Sequence, residues 1–329
     1  MIRAALAVAI ACAPAWAVTP RVVYEEDVYT YTNPNNGSGP MWSFGCTPIA
    51  RVGERVFVSQ METGEGVPPL SNTRWRLLER TGAGWTVVAE TPDYKQREPT
   101  LLATDASSTV FLYVNPSLMP PGTQYGACEP HLLAFDVNAS PFAPRKIAPT
   151  WDGAPTYTDH SYRGYAADAA AQRVLMFNID AQTSIQHYCL LAMDGRALAN
   201  GRVTFPVRGC YPQVAIENGR AHILAVGDIV EPVEEWRTFK KEQTGREWDY
   251  VFRRLFLAQN ADIEHGPFAP PIEIANVDAT AGHIANQDLW IAPNGDAYVL
   301  YTETEVASPL MRDRYFPGKS TTPALTLAI

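Results

Sequence analysis

What this chain lacks narrows its function first. It has no Gly-x-Ser-x-Gly turn, no Walker loop and no Gly-x-Gly-x-x-Gly turn. A nucleophile-elbow hydrolase, a P-loop enzyme and a dinucleotide-binding enzyme each need one of these, so all three are excluded. Basic charge is in short supply. There are 26 Lys and Arg against 35 Asp and Glu, for a net charge of −9, and the pI is near 5.2. A protein so acidic is not built to neutralise phosphates, and no nucleic-acid partner is expected. After residue 17 no apolar run is long enough to span a bilayer, so no transmembrane segment is expected.

What is present is globular: 46% hydrophobic and 19% charged residues can bury a core. Residues 1–17 have the layout of a secretory signal peptide. Arg3 gives the positive start, Ala4 to Ala13 the apolar stretch and Ala15-Trp16-Ala17 the small-residue cleavage site. Cys12 raises a lipoprotein alternative, but Ala9-Ile10-Ala11 before it fits that signal poorly. The expected layout is a signal peptide over 1–17 and one β-propeller domain over 18–329, secreted or periplasmic. Cleavage there leaves Cys46, Cys128, Cys189 and Cys210. An even count in an oxidising compartment suggests disulfides.

The propeller expectation comes from an internal repeat. Five segments open on a polar or Cys/His cluster, run into an apolar strand, turn, and run into a second one. They begin at Cys46-Thr-Pro-Ile-Ala, Glu98-Pro-Thr-Leu-Leu, His160-Ser-Tyr-Arg-Gly-Tyr, Cys210-Tyr-Pro-Gln-Val and His283-Ile-Ala-Asn-Gln, with spacings of 52, 62, 50 and 73 residues. A period of this size with paired strands means radial sheets of four strands, an all-β propeller. A second repeat agrees: Pro141-Phe-Ala-Pro recurs at Pro267, 126 residues later, where outer strands should begin. Blades are expected over 46–90, 99–149, 162–205 and 211–275, with a fifth from 283. That last blade lacks its outer strand. Either the β-rich segment 21–31 supplies it, or the chain is a fragment of a six- or seven-bladed ring. Two insertions break the rhythm, 115–129 and 228–249. The second, with Trp236 and Phe239 three residues apart, predicts a short amphipathic helix, covering a blade edge or rimming the channel.

A propeller gathers its first strands around one channel, so the residues opening them should converge. The candidates are His160, Tyr162 and Arg163 in blade three, Arg208, Tyr211 and Gln213 in blade four, His283 and Asn286 in blade five, and Glu98 in blade two. His and Tyr can exchange protons, and Arg can hold a carboxylate through two hydrogen bonds. An Arg with two titratable rings suits neutralising a uronate and moving its α-proton, which is β-elimination. Glu98 and Asp159 form no evident hydrolase pair. Cys128-x-x-His131 and His187-x-Cys189 fall at third strands of adjacent blades. They offer either a tetrahedral structural Zn site or a Cys128–Cys189 disulfide. The chemistry itself requires no cofactor.

Over residues 40–329 the plan resembles the secreted sialidase-like and BNR-type β-propellers, although their Ser-x-Asp-x-Gly-x-Thr-Trp box is absent. The His/Tyr/Arg set is similar to that of ulvan-type polysaccharide lyases. That resemblance implies catalytic roles for His160, Tyr162, Arg163, Tyr211 and His283, with Arg208, Gln213, Asn286 and Glu98 binding substrate. It implies cleavage of an acidic polysaccharide. The alternatives are a non-catalytic glycan- or protein-binding propeller and a sialidase-like hydrolase.

Overall fold

The computed structural model describes residues 21–42, 46–120, 123, 125–247 and 249–329. The expected signal peptide lies outside them. The blades described below all lie in the unit Tyr31–Ile329. Residues 21–31 carry no strand and enter no ladder. Their β-branched and aromatic residues favour a strand, but a strand exists only where a neighbour takes its backbone groups. The expected edge strand is therefore corrected.

The unit is a five-bladed β-propeller. Blade one is β1 (Ile49–Val52), β2 (Arg55–Thr63), β3 (Thr73–Thr81) and β4 (Gly84–Glu90). Blade two is β5 (Leu101–Thr104), β6 (Thr109–Val114), β7 (His131–Asp136) and β8 (Arg145–Ile147). Blade three is β9 (Arg163–Asp168), β10 (Arg173–Ile179), β11 (Gln186–Ala192) and β12 (Ala197–Val203). Blade four opens with β13 (Gly209–Glu217) and β14 (Arg220–Gly227). Its insertion follows as β15 (Ile229–Val230), α1 (Glu234–Thr244) and β16 (Tyr250–Val251), and it closes with β17 (Arg254–Asn260) and β18 (Ile272–Asn276). Blade five is β19 (His283–Ile291), β20 (Ala297–Thr304), α2 (Pro309–Tyr315) and β21 (Ala324–Ala328). Each sheet is an antiparallel meander, of four strands in blades one to four and three in blade five.

Period-two alternation glues the blades together. In β6, Val110, Leu112 and Val114 face blade one with Phe57, Trp75 and Leu77, while Phe111 and Tyr113 face blade three with Val174 and Met176. Blade three repeats this toward blade four: Leu175 and Phe177 meet Ile216, Ile223 and Phe256. Leu224, Val226 and Leu257 then meet Ile284, Val299 and Tyr301 of blade five. The first strands approach closely where blades three and four meet. A Cβ on Gly164 would lie 2.6 Å from Val214 Cγ2, so only glycine fits.

The predicted insertion helix is α1, ended by Gly245 in the left-handed conformation, whose N–H donates to Lys241 O at 2.8 Å. Trp236 and Phe239 pack on Tyr315 of α2, a helix the sequence pattern missed. A buried ion group fixes the base of the insertion. Arg253 donates to both oxygens of Glu231, at 3.0 and 2.5 Å, and Lys240 to Glu231 Oε2 at 2.8 Å. The Arg253 guanidinium also lies 5.3 Å from the Trp236 ring centroid. Removing one member strands a buried charge, which costs about 3–5 kcal/mol. Glu231→Ala should lower the denaturation midpoint accordingly, and Glu231→Leu with Arg253→Met should recover most of the loss. Unchanged stability in Glu231→Ala would contradict this anchoring role.

Candidate functional site

The segments that open blades two, three and four do converge. Arg97 and Glu98 precede β5, Asp159 to Tyr162 precede β9, and Arg208 precedes β13. Asp228 follows β14 and joins them. Arg97 donates to Glu98 Oε1 at 3.1 Å, to Asp159 O at 3.4 Å and to Asn36 O at 3.3 Å. Arg163 donates to Tyr113 O at 2.5 Å and Pro99 O at 2.8 Å, with Glu98 Oε2 at 3.9 Å. Arg208 pairs with Asp228 and donates to His160 O at 3.1 Å. Arg97 and Arg163 thus flank Glu98 and Arg208 pairs with Asp228, while the Asp159 carboxylate accepts from Ser71 Oγ and Gly126 N–H. Buried charge persists only when paired in this way.

Beside this network lies a small, partly open pocket, a cavity of about 10 Å³ with room for about one water molecule, lined by Trp42, Glu98, Pro99, Leu101, Tyr162, Arg163 and Tyr211. Its walls are aromatic. The Tyr162 and Tyr211 rings are 4.4 Å apart, Tyr211 donates to Tyr162 Oη at 3.3 Å, and Trp42 meets Tyr211 edge-on at 5.7 Å. A bulge between Cys210 and Gln213 re-aims this stretch, and Tyr211 takes a φ of +51°. Its one carboxyl is Glu98, 9% exposed. Burial raises the Glu98 pKa above the usual carboxylate range, while Arg97 and Arg163 pull it back and the Asp159 charge pushes it up. Burial also raises both phenols, reinforced at Tyr162 by Glu98 and at Tyr211 by Tyr162.

The expected site residues separate into groups. Glu98, Tyr162, Arg163 and Tyr211 share the pocket. His160 stands beside it, behind Arg208, with its ring stacked 5.1 Å from Tyr125. Burial, then Arg97 and Arg208, depress its pKa to about 4. Asn286 donates to Tyr211 O at 2.8 Å and so supports the pocket wall. Gln213 is 1% exposed on β13, with neither amide atom hydrogen-bonded among the described residues. His283 leaves the group. It is exposed at the start of β19, lining a separate groove beside α1 and touching Phe252 edge-on at 5.9 Å. Blade rank places a strand near the axis, but alternation decides which residues point inward, and here Ile284 and Asn286 are the buried ones.

The Zn and disulfide expectations are both corrected. Among the described residues no group of three or more His, Cys, Asp or Glu could hold a metal ion. Cys46, Cys128, Cys189 and Cys210 are all free and buried. Cys189 sits in the core between blades two and three, whereas Cys128 lies 3.9 Å from Asp159 at the channel mouth. His131 Nδ1–H donates to Glu129 O at 2.8 Å. His187, on β11 beside Cys189, pairs across the ladder with Asn178 and Arg202. Sequence reasoning missed Trp42, Tyr125 and Asp228. The first two lie in irregular segments without repeat phase, and Asp228 ends a second strand.

Three proteins of known structure are similar in chain path. A family 43 β-1,3-galactosidase with galactodeoxynojirimycin aligns over 85% of this chain and 88% of its own, at 9% identity and a TM-score of 0.44. An exo-β-1,3-galactanase from Phanerochaete chrysosporium with β-1,3-galactotriose aligns over 85% and 58%, at 9% identity and 0.42. A family 43 enzyme from Xanthomonas citri with xylotriose aligns over 86% of each chain, at 12% identity and 0.40. No family profile and no curated protein matches the chain. No helix among the described residues is long and apolar enough to cross a membrane.

The depressed His160 pKa has a pH consequence. Between the ordinary value of 6.5 and about 4 the unfolded chain binds a proton that the folded one refuses. Folding stability is therefore lost as pH falls through that window. Imidazole NMR should show His160 neutral down to about pH 4, and His160→Gln should flatten the acid limb of the stability profile. Titration near the ordinary 6.5 would contradict the burial assigned to His160.

Proposed function

We propose that the protein is a carbohydrate-active propeller that binds a sugar against the aromatic mouth of the Glu98 pocket, whose side chains part to admit the glycosidic oxygen, and cleaves the glycosidic bond with Glu98 as proton donor. One observation carries this: among the described residues the pocket's one carboxyl, Glu98, is buried, raised in pKa and walled by Trp42, Tyr162 and Tyr211. Aromatic walls with a few placed polar groups suit a ligand that is apolar on its ring faces and polar at its rim. A carboxyl whose pKa is raised by its surroundings is better matched to giving a proton to a departing oxygen than an ordinary carboxylate. Glu98 gives its proton to the glycosidic oxygen, which keeps the electron pair of the breaking C–O bond; water bonds to the anomeric carbon and loses a proton to a base. Hydrolysis needs a second, charged carboxylate for water or for the developing positive charge. Asp159, whose charge reaches Glu98, is the candidate.

β-Elimination is less well supported. A uronate needs an open guanidinium fork, yet the Nη donors of Arg163 go to Tyr113 O and Pro99 O, and Arg208 is held by Asp228 and His160 O. The elevated phenol pKa values make Tyr162 and Tyr211 poor bases. Since the arginines are neutralised within the protein, the substrate need not be acidic. A glycan substrate also fits the exported protein that residues 1–17 lead one to expect.

The test is incubation with neutral and uronate-containing polysaccharides, following new reducing ends and unsaturated uronate separately. The expected result is reducing ends alone, reduced about 10²- to 10⁴-fold in Glu98→Gln with folding intact. Unsaturated product would decide for the lyase. Binding without cleavage would decide for a non-catalytic glycan module, and full activity in Glu98→Gln would remove Glu98 from the mechanism.

A further inference from the structure

A second feature at the channel mouth takes no part in that reaction. Tyr125, between β6 and β7, is 68% exposed, and its ring stacks on His160 at 5.1 Å and an interplanar angle of 25°. It holds a φ of +55°, a strained conformation for an aromatic residue that persists only where the surroundings impose it. The surroundings do so here. Gly126 N–H donates to Asp159 Oδ2 at 2.8 Å and Cys128 N–H to Tyr157 O at 2.8 Å, while Ala127 bridges to Thr158. A Cβ on Gly126 would fall 2.2 Å from Met119 Cγ, so the chain just after Tyr125 packs closely as well. The approach to blade three therefore fixes the backbone just after Tyr125, and the exposed ring rests on His160.

Beneath it, His160 continues toward the pocket. Its Nε2 is buried without a hydrogen-bond partner among the described residues. Its carbonyl accepts from Arg208, and the Arg208 guanidinium lies 5.3 Å from the centroid of the Tyr162 ring, which is a wall of the Glu98 pocket. The stacked pair and the pocket are thus joined through Arg208.

We propose that Tyr125, braced on His160, is a second saccharide-binding platform, taking the ring of a sugar further along the chain than the one over Glu98. This rests on the saccharide reading of the pocket. An exposed ring held rigid loses little conformational freedom on binding, which favours affinity. Because His160 is kept neutral by burial, the brace should be insensitive to pH between 5 and 8, roughly the range where an ordinary histidine titrates.

Calorimetric titration with neutral oligosaccharides, from mono- to hexasaccharide, tests the idea on the parent, Tyr125→Ala and Tyr125→Phe. Tyr125→Ala should weaken hexasaccharide binding about 2- to 10-fold, the size of an aromatic contact. It should leave monosaccharide binding and the melting temperature unchanged, and Tyr125→Phe should bind like the parent. Hexasaccharide bound equally by Tyr125→Ala and the parent would overturn the platform and leave the pocket standing. Equal losses for mono- and hexasaccharide would also overturn it. A parent that binds none of the series would overturn the pocket reading, and the platform with it.

Discussion

The Arg163–Glu98 contact is the constraint on which the site depends. Arg163 opens β9 in blade three, yet its guanidinium donates to carbonyls of blade two, at Pro99 and Tyr113. A guanidinium this deep needs a counter-charge, and Glu98 stands 3.9 Å away to supply it. Glu98 is in turn held by Arg97, which also reaches the segments at Asn36 and Asp159. One group of charges therefore sets the spacing of blades two and three and aims a carboxyl into an aromatic pocket. The same burial that makes the charges costly raises the Glu98 pKa. Structural role and proposed chemical role share one cause.

The blades supply rigidity around it. Each second strand sends alternate residues to opposite neighbours, so the interblade cores are continuous and the first strands have little freedom to shift. On that support the mouth tolerates strain, with Tyr125 and Tyr211 both in the left-handed region. The helices inserted in blades four and five pack on each other through Trp236, Tyr315 and Phe316. They border a separate groove that contains His283.

Much of the fold was legible because strand periodicity is local. The blades fall within a few positions of the expected ranges 46–90, 99–149, 162–205 and 211–275, and the fifth begins at His283. The insertion helix was legible from Trp236 and Phe239, whereas α2 is only seven residues long and carries little periodic signal. Convergence of blade starts was legible as well, since it follows from topology. The direction of each side chain was not. His283 failed because a one-residue change of phase turns a side chain to the other face. The Cys128/Cys189 pair failed because Cys128 lies in the irregular segment before β7, beside Asp159, whereas Cys189 is inside β11 and points into the core between blades two and three. Trp42 and Tyr125 lie in irregular segments, where position depends on long-range contacts such as that between Gly126 and Asp159.

The most direct test of the account is an experimental structure of Glu98→Gln with a bound neutral oligosaccharide. The account predicts one sugar ring packed against Trp42 and Tyr211 at the pocket mouth, with a glycosidic oxygen within hydrogen-bond distance of the residue 98 side chain. An oligosaccharide seated only in the groove beside α1, or on the outer strands of the blades, would contradict it.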